Sequence, residues 1–235
     1  MRHLGFRPRA DTFPDIARPR HLATVRRGPY LRPGLDEEQM YTALLLRRTH
    51  HGPFVPRPLS ALLVEELRQQ ARREGTELRI LHDVEDLRRV AEPIHTAEAV
   101  RRARPAHSVE LANWTPPAGS ARRDGLPALA YPGHPDTAAF AGRDYAAPAR
   151  LGYPAPNGQD RPDDWLRARQ APERVLLPAA AHRVCAAPHT QPLELPELRR
   201  QLRHTVTAGR RPQVILRLGY AAPGRGHDAQ EHLPV

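Results

Sequence analysis

A cluster of residues suited to phosphate binding lies between positions 47 and 54, where the chain reads Arg47-Arg48-Thr49-His50-His51-Gly52-Pro53-Phe54. Arginine offers a planar fork of charged donors, and threonine adds a short, directional hydroxyl donor. Together these groups suit a phosphate monoester. The alternative is that the arginines merely follow a helix, because positive charge is favoured at a helix C-terminus. So short a motif does not decide between the two interpretations.

The elements around this cluster are predicted from hydrophobic periodicity and capping residues. A helix begins at the candidate N-cap Asp36 and runs through Leu46, directly before the two arginines. A second helix begins at Ser60 and stops near Gly75. Its predicted apolar face carries Leu62, Leu63, Leu67 and Ala71. The cluster therefore lies in a proline-broken loop between two helices.

The rest of the chain mixes short strands with helices. The predicted strands are Phe6–Phe13, Leu22–Arg26, Glu77–His82 and Gln213–Leu218. The predicted helices are Asp83–Arg104 with a kink at Pro93, His107–Trp114, Asp163–Val184 and Glu197–Val206. Residues 115–161 show no period, and Cys185–Leu195 is predicted as a loop. Pro172 and Pro178 fall inside a predicted helix, where each proline costs about 3 kcal/mol.

Composition excludes several classes of protein. The 235 residues carry a net charge of +10 and 40% hydrophobic residues, with arginine supplying all 36 basic side chains. The arginines are scattered and aromatics are few, which indicates the coding bias of a GC-rich genome and predicts no nucleic-acid partner. No apolar run is long enough to span a bilayer, and the first residues lack a signal-peptide core. We expect a cytoplasmic protein without a membrane partner.

Side chains capable of catalysis or metal binding do not form a recognisable site. Cys185 is the single cysteine and lacks a nucleophile motif, so it is interpreted as a small buried residue. His50 and His51 are adjacent, so they cannot face one metal from one helical turn. The chain contains no Gly-x-Ser-x-Gly elbow and no Gly-Lys phosphate loop. We predict no metal site and no catalytic side chain.

Six blocks in order resemble the nitroreductase-like flavoproteins of the actinobacterial Acg type. The first is the arginine cluster itself, from Arg47 to Phe54. The other blocks are Glu110–Thr115, Arg123–Pro127, Asp164–Ala168, Ala186–Glu194 and Pro212–Tyr220. Each block alone is short, but their order is specific, and the resemblance runs from about His3 to Tyr220.

The resemblance implies an α+β nitroreductase-like fold that binds FMN between two similar halves. It matches Arg47, Arg48 and Thr49 to the segment that holds the flavin phosphate, with His51 in place of a further basic residue. It matches the loop from Pro188 through Thr190 to Gln191 to the segment beside the flavin ring. It implies NAD(P)H as the hydride donor and a small nitro or quinone-type molecule as the acceptor.

The chain also departs from that pattern. The Pro-Ser-x-x-Asn-x-Gln-Pro-Trp segment of the first half is missing, so residues 1–35 resemble a remnant of a first half and linker. Residues 36–220 then form the second half of a fused pseudo-dimer, with an irregular loop at 115–161 and a disordered tail at 221–235. The alternative function is therefore a non-catalytic flavin-binding or flavin-sequestering relic, the product of a truncated gene. Half a pseudo-dimer predicts self-association or a missing N-terminal partner.

Arg217 interrupts the apolar strand Val214-Ile215-Leu216-Arg217-Leu218. Strand alternation puts Val214, Leu216 and Leu218 inward and Arg217 on a half-exposed face or sheet edge. The alternative is a cation near the flavin phosphate. The alternation favours the first interpretation.

Overall fold

The structure is a computed structural model, and it describes residues 1–50, 54–114 and 162–221. These residues form an α+β fold that divides into two compact units. Unit 1 contains residues 1–48, 60–79 and 153–184, and unit 2 contains residues 49–59, 80–152 and 185–235. The predicted loop 115–161 and all but the first residue of the predicted tail lie outside the described residues.

Unit 1 begins with an antiparallel hairpin. Strand β1 spans Phe6–Thr12 and strand β2 spans Ala23–Tyr30. Nearly every residue of the hairpin is exposed or half-buried, because the ribbon presents both faces to solvent. Arg9 lies directly opposite Arg26, a like-charge pair that an exposed ribbon tolerates because water screens it. Both strand predictions are confirmed, with bounds shifted by a few residues.

Helix α1 spans Leu35–Leu46 and is capped by glycine, not by Asp36 as the sequence predicts. The Gly34 amide donates to Glu37 Oε2 at 2.8 Å, so the carboxylate reaches back over the first turn. Arg2 donates to both oxygens of Glu37, at 2.5 and 2.6 Å. These hydrogen bonds, that from Arg2 first, hold the pKa of Glu37 below its usual value. The N-terminal segment is thereby fastened to the start of α1.

Helix α2 spans Ala61–Arg73, and both predicted end signals are confirmed. The Ser60 hydroxyl accepts from the Leu63 amide at 3.2 Å. Gly75 has a φ of +68°, the left-handed conformation that ends a helix at low cost in glycine. The predicted apolar face is wrong at one position, because Leu62 is 86% exposed. The buried face of α2 is formed by Leu63, Val64, Leu67, Gln70 and Ala71.

Helix α5 spans Pro162–Ala181 and packs against both α1 and α2 in unit 1. It continues through Pro172 and Pro178, although each proline leaves a carbonyl one turn earlier without its helical donor. Tertiary packing compensates, because Ala171, Val175 and Ala179 form a fully buried stripe at four-residue spacing. The helix predicted over 163–184 is therefore confirmed.

Unit 2 is built around a two-stranded antiparallel sheet. Strand β3 spans Cys185–Pro188 and strand β4 spans Leu216–Gly219. The prediction of a loop over Cys185–Leu195 is wrong, because β3 pairs with β4 and a 3₁₀ helix follows at Gln191–Glu194. The prediction of a strand at Gln213–Leu218 is confirmed in its second half. Beyond β3, the His189 amide donates to the Ile215 carbonyl at 2.8 Å and extends the ladder.

Three α-helices complete the described part of unit 2. Helix α3 spans Val84–Arg102, α4 spans Pro105–Trp114 and α6 spans Pro196–Thr205. Helices α3 and α6 pack against each other and against the 3₁₀ helix. Unit 2 buries Val90, Ile94, Leu202, Val206 and Ile215 almost completely. The strand predicted over Glu77–His82 is wrong: the segment is irregular, and its buried residues, Leu78 and Leu81, are three positions apart and do not alternate.

Candidate functional site

Arg47 and Arg48 follow the last turn of α1 in unit 1. Arg47 is the C-cap residue, and its backbone amide donates to the Ala43 carbonyl at 2.8 Å. Its side chain is half-buried, whereas Arg48 is exposed and has no ion pair among residues 1–50, 54–114 and 162–221. The structure thus places the two guanidinium groups at the negative end of the helix dipole, as the sequence predicts.

Glu173 is the acidic partner of Arg47. The Nε of Arg47 lies 3.4 Å from Glu173 Oε2, and the two side chains are 34% and 53% exposed. Glu173 is carried by α5, whose neighbouring residue Arg174 forms an ion pair with Glu74 after the end of α2. Successive residues of α5 therefore reach the C-terminal ends of two helices. Within the described part of the chain, the Arg47 guanidinium forms no hydrogen bond, so its donors remain available for a ligand.

Thr49 and His50 lie along β3 in unit 2. Thr49 forms a parallel bridge with Ala186, and the His50 amide donates to the Ala186 carbonyl at 2.8 Å. Strand β3 thus pairs with β4 on one side and with this short segment on the other. The Thr49 side chain is exposed. Its backbone is therefore fixed by the sheet while its hydroxyl remains open to solvent.

The predicted segment Pro188–Gln191 also belongs to unit 2 and begins at the end of β3. Pro188 is exposed and ends the strand, and Thr190 is the N-cap of the 3₁₀ helix without a side-chain capping bond. Gln191 Oε1 is buried and has no hydrogen-bond partner among the residues that the structure describes. A buried acceptor of this kind is costly unless a donor reaches it, so it marks a place where a ligand would be favoured.

The predicted site residues therefore divide between the two units. Arg47 and Arg48 belong to unit 1, and Thr49, Pro188, Thr190 and Gln191 belong to unit 2. Within unit 2, β3 brings the backbone of Thr49 beside the strand that Pro188 ends. His51 lies outside the described residues. The guanidinium groups in unit 1 and the Thr49 hydroxyl in unit 2 are donors of the kind that bind phosphate, whereas the Gln191 oxygen is an acceptor and suits an N–H group.

Arg217 corrects one prediction made from the sequence. It is only 2% exposed, rather than half-exposed at an edge. Its guanidinium carbon lies 4.6 Å from the centroid of the Phe54 ring, and Phe54 is itself 5% exposed. Period-two alternation failed here because β4 is covered on both faces. The signal available in the sequence was an apolar run on both sides of the arginine, which is typical of a fully buried strand.

Cys185 is half-buried, whereas the sequence predicts a buried residue. Burial raises the pKa of the Cys185 thiol, so it remains protonated and a poor nucleophile. Within the ranges that the structure describes, no three His, Cys, Asp or Glu side chains gather into a metal site. Nor is any helix in those ranges long and apolar enough to cross a membrane.

Comparison by sequence finds two relatives in Mycobacterium tuberculosis. Each bears the name "Putative NAD(P)H nitroreductase", one from strain H37Rv and one from strain CDC 1551. Each is 30% identical to this chain over an alignment of 232 positions that covers 93% of the chain. The chain spans 66% of the length of each relative. No protein-family model matches the chain.

Comparison by structure finds the same fold in crystal structures of two nitroreductases with bound FMN. The protein from Desulfitobacterium hafniense has a TM-score of 0.54 and 9% identity, covering 84% of this chain and 94% of that one. The protein from Bacteroides fragilis has a TM-score of 0.50 and 14% identity, covering 83% of this chain and 98% of that one. At such low identities the likeness shows the fold alone. The chain therefore has a nitroreductase-like α+β fold.

Proposed function

We propose that this chain, which has a nitroreductase-like fold and is homologous to proteins named as NAD(P)H nitroreductases, is an FMN-dependent oxidoreductase of the nitroreductase family. It would pass hydride from NAD(P)H to a nitro or quinone-type acceptor. The observation that carries the proposal is the 30% identity that extends over 93% of the chain. FMN is supported by the fold, because both structural neighbours contain it.

Arg47, Arg48 and Thr49 would hold the FMN phosphate. The helix dipole gives no help, because its C-terminal end is negative and repels a phosphate. The two guanidinium groups must therefore supply the attraction, and Arg48 offers a cation with no acidic partner among the described residues. Thr49 would add a neutral hydroxyl donor from a backbone fixed against β3. Phosphate sites typically combine charged guanidinium donors with a neutral, directional donor such as a hydroxyl.

The segment from Pro188 through Thr190 to Gln191 would lie beside the flavin ring. The unpartnered Oε1 of Gln191 would accept from a ring N–H or an ordered water, which removes the cost of its burial. His51 remains a predicted contributor to the same site. FMN itself supplies the redox chemistry when bound, accepting and releasing hydride, and the side chains of this protein bind and orient it. No residue of the chain is needed as an acid, base or nucleophile.

The finer parts of the resemblance stay predictions. They are membership of the Acg type and the fusion of two halves into a pseudo-dimer. Self-association, the small-molecule acceptor and a cytoplasmic location are predictions in the same sense. A flavin-binding relic without turnover is the alternative outcome of the experiment below.

The proposal is tested by titrating the purified full chain with FMN and with riboflavin, which lacks the phosphate. We expect FMN to bind at least about tenfold more tightly than riboflavin, because charge-assisted bonds to phosphate are strong. Arg47→Ala should weaken FMN by a similar factor and leave riboflavin unchanged. Arg7→Ala, at an exposed position on β1, is the matched control and should change neither affinity.

Turnover is tested separately. Anaerobic NAD(P)H should bleach the flavin absorbance of the bound protein, and a nitro or quinone acceptor should restore it. Binding without bleaching would support the relic instead. A chain that binds neither flavin, or an Arg47→Ala variant with unchanged FMN affinity, would exclude the proposed site.

A further inference from the structure

Arg217 is a buried charge that the proposed chemistry does not use. Its register partner is Ala187, and two residues further along β4 Gly219 is paired with Cys185. Direct cross-strand partners share a face, and so do residues two apart on one strand. Arg217, Gly219, Cys185 and Ala187 therefore lie on one face of the sheet. Three of these four residues are small, so the arginine is the one long side chain on that face of β3 and β4.

The ring of Phe54 covers this face. The Arg217 guanidinium carbon lies 4.6 Å from the ring centroid, within the range of a cation–π contact. At Gly219, an added Cβ would come within 2.7 Å of Phe54 Cδ1. Glycine is therefore required there by the close approach of the ring. The Phe54 ring therefore lies under the guanidinium of Arg217 and against Gly219, where a side chain would collide with it.

The backbone around Phe54 is tied to the same sheet at both ends. On one side, Thr49 bridges to Ala186, and the His50 amide donates to Ala186. On the other side, Phe54 bridges to Ala221, and the Val55 amide donates to the Tyr220 carbonyl at 2.9 Å. Thr49 and His50 thus lie beside β3, whereas Phe54 and Val55 lie beside the two residues that follow β4.

His50 connects the ring to the beginning of that segment. Its imidazole meets the Phe54 ring edge to face, with centroids 4.7 Å apart and planes at 70°. A contact therefore runs from Arg217 through Phe54 to His50. His50 is the neighbour of Thr49, whose hydroxyl is exposed and whose backbone rests on β3.

We propose that Arg217 is a positioning residue for the phosphate-binding segment: it holds the Phe54 ring on the β3–β4 sheet and thereby fixes Thr49. The inference rests on the proposed FMN site. Arg217 acts through Phe54 and His50 and does not touch the ligand. Its removal should loosen the backbone that presents the Thr49 hydroxyl, so the affinity for the phosphate should fall.

Stability alone does not distinguish a structural role of Arg217 from a positioning role. Removing the buried guanidinium alters the melting temperature in either case, because its partners lose their contact. A purely structural role therefore predicts that Arg217→Met changes the affinities for FMN and riboflavin equally or not at all. A positioning role predicts a loss of affinity that is specific to the phosphate. The two roles give different results in the same variant.

The experiment titrates full-length Arg217→Met with FMN and riboflavin and records its thermal unfolding. We expect FMN affinity to fall about tenfold, as for the loss of one desolvated cation–π contact, with riboflavin changed less than about twofold. Arg217→Lys keeps the cation and should recover part of the FMN affinity. Arg27→Met is the matched control, because Arg27 also stands over an aromatic ring, that of Phe6 at 4.9 Å, on the hairpin of unit 1.

Gly219→Ala reaches the same ring from the other side and keeps the inference testable if Arg217→Met does not fold. Its methyl group should displace Phe54 and lower FMN affinity in the same phosphate-specific way. The inference is overturned if Arg217→Met or Gly219→Ala folds and binds FMN like the wild type, or if FMN and riboflavin weaken equally. Wild-type protein that fails to bind FMN would instead remove the proposed function. If Arg47→Ala loses FMN affinity but Arg217→Met and Gly219→Ala do not, the proposed FMN site stands and only the role of Arg217 is excluded.

Discussion

In unit 1, the three leucines at the end of helix α1 are exposed, whereas in unit 2 every residue of strand β4 is buried. Leu44, Leu45 and Leu46 are 54%, 77% and 60% exposed. Arg217 on β4 is 2% exposed, less than any of them. Helix α1 buries only Ala43, and α5 is the helix it packs against in unit 1. Strand β4 is covered on one face by Phe54 and paired along one edge by β3.

The two regions show that a residue is buried in this chain where another element packs on it, whatever the polarity of its side chain. A leucine without a covering element stays exposed, and an arginine between two covered faces is buried. The three exposed leucines follow one another on α1, so they point in different directions around the helix and do not form one face. Self-association, which the sequence predicts, remains a prediction.

The largest expected effect contrasts one leucine from each region. Leu218→Ala on β4 should lower the free energy of unfolding by about 2–5 kcal/mol, because Leu218 is 4% exposed and its removal leaves a cavity. Leu45→Ala on α1 should change it by less than about 0.5 kcal/mol, because that side chain is already in water. Urea unfolding of the two variants and the wild type measures both changes in the free energy of unfolding. A large cost for Leu45→Ala that grows with protein concentration would mean that α1 is covered in solution.

The sequence predicted features that depend on residues close together in the chain and missed features that depend on residues far apart in it. The helix starts at Ser60 and Asp83 were predicted because they depend on local residues, and in the structure both side chains accept from amides in the first turn of their helices. Helix α5 was predicted despite two internal prolines, because its apolar residues recur at helical spacing. Arg217 was misplaced because its burial depends on Phe54, which is distant in sequence. Strand β3 was missed for the same reason, since its partners are Thr49 and β4.

The candidate site shows the same limit. Arg47, Arg48 and Thr49 were predicted as phosphate ligands because the resemblance depends on a contiguous motif, and their role remains a prediction. Glu173 and Gly219 were not found, because nothing local in the sequence relates Glu173 to Arg47 or Gly219 to Phe54. An ion pair across 126 positions and a ring packed on a glycine are visible only once the fold is known.

A smaller effect is expected from the acidic partner of Arg47. Glu173→Gln should raise FMN affinity about two- to fivefold, because it removes a negative charge that competes with the phosphate for a half-exposed arginine. The gain should shrink at high salt, since exposed charges are screened. Glu74→Gln, which removes the partner of the neighbouring Arg174, is the control and should have no effect. Weaker FMN binding in Glu173→Gln would show instead that the carboxylate orients Arg47.

The smallest expected effect is the dependence of stability on pH. It distinguishes the half-buried Arg2–Glu37 ion pair of unit 1 from the buried Arg217 of unit 2. The pKa of Glu37 is lowered in the folded state, chiefly by Arg2, so its contribution to stability is present above its unfolded pKa of about 4.3 and is lost as pH falls through the lower folded value. Glu37→Gln should therefore reduce stability near neutral pH and flatten the decline in acid. Arg217→Met should change the free energy of unfolding by the same amount at every acid pH, because arginine does not titrate in this range. Urea unfolding as a function of pH measures both variants, and an unchanged acid slope in Glu37→Gln would show that the bond to Arg2 does not stabilise the fold.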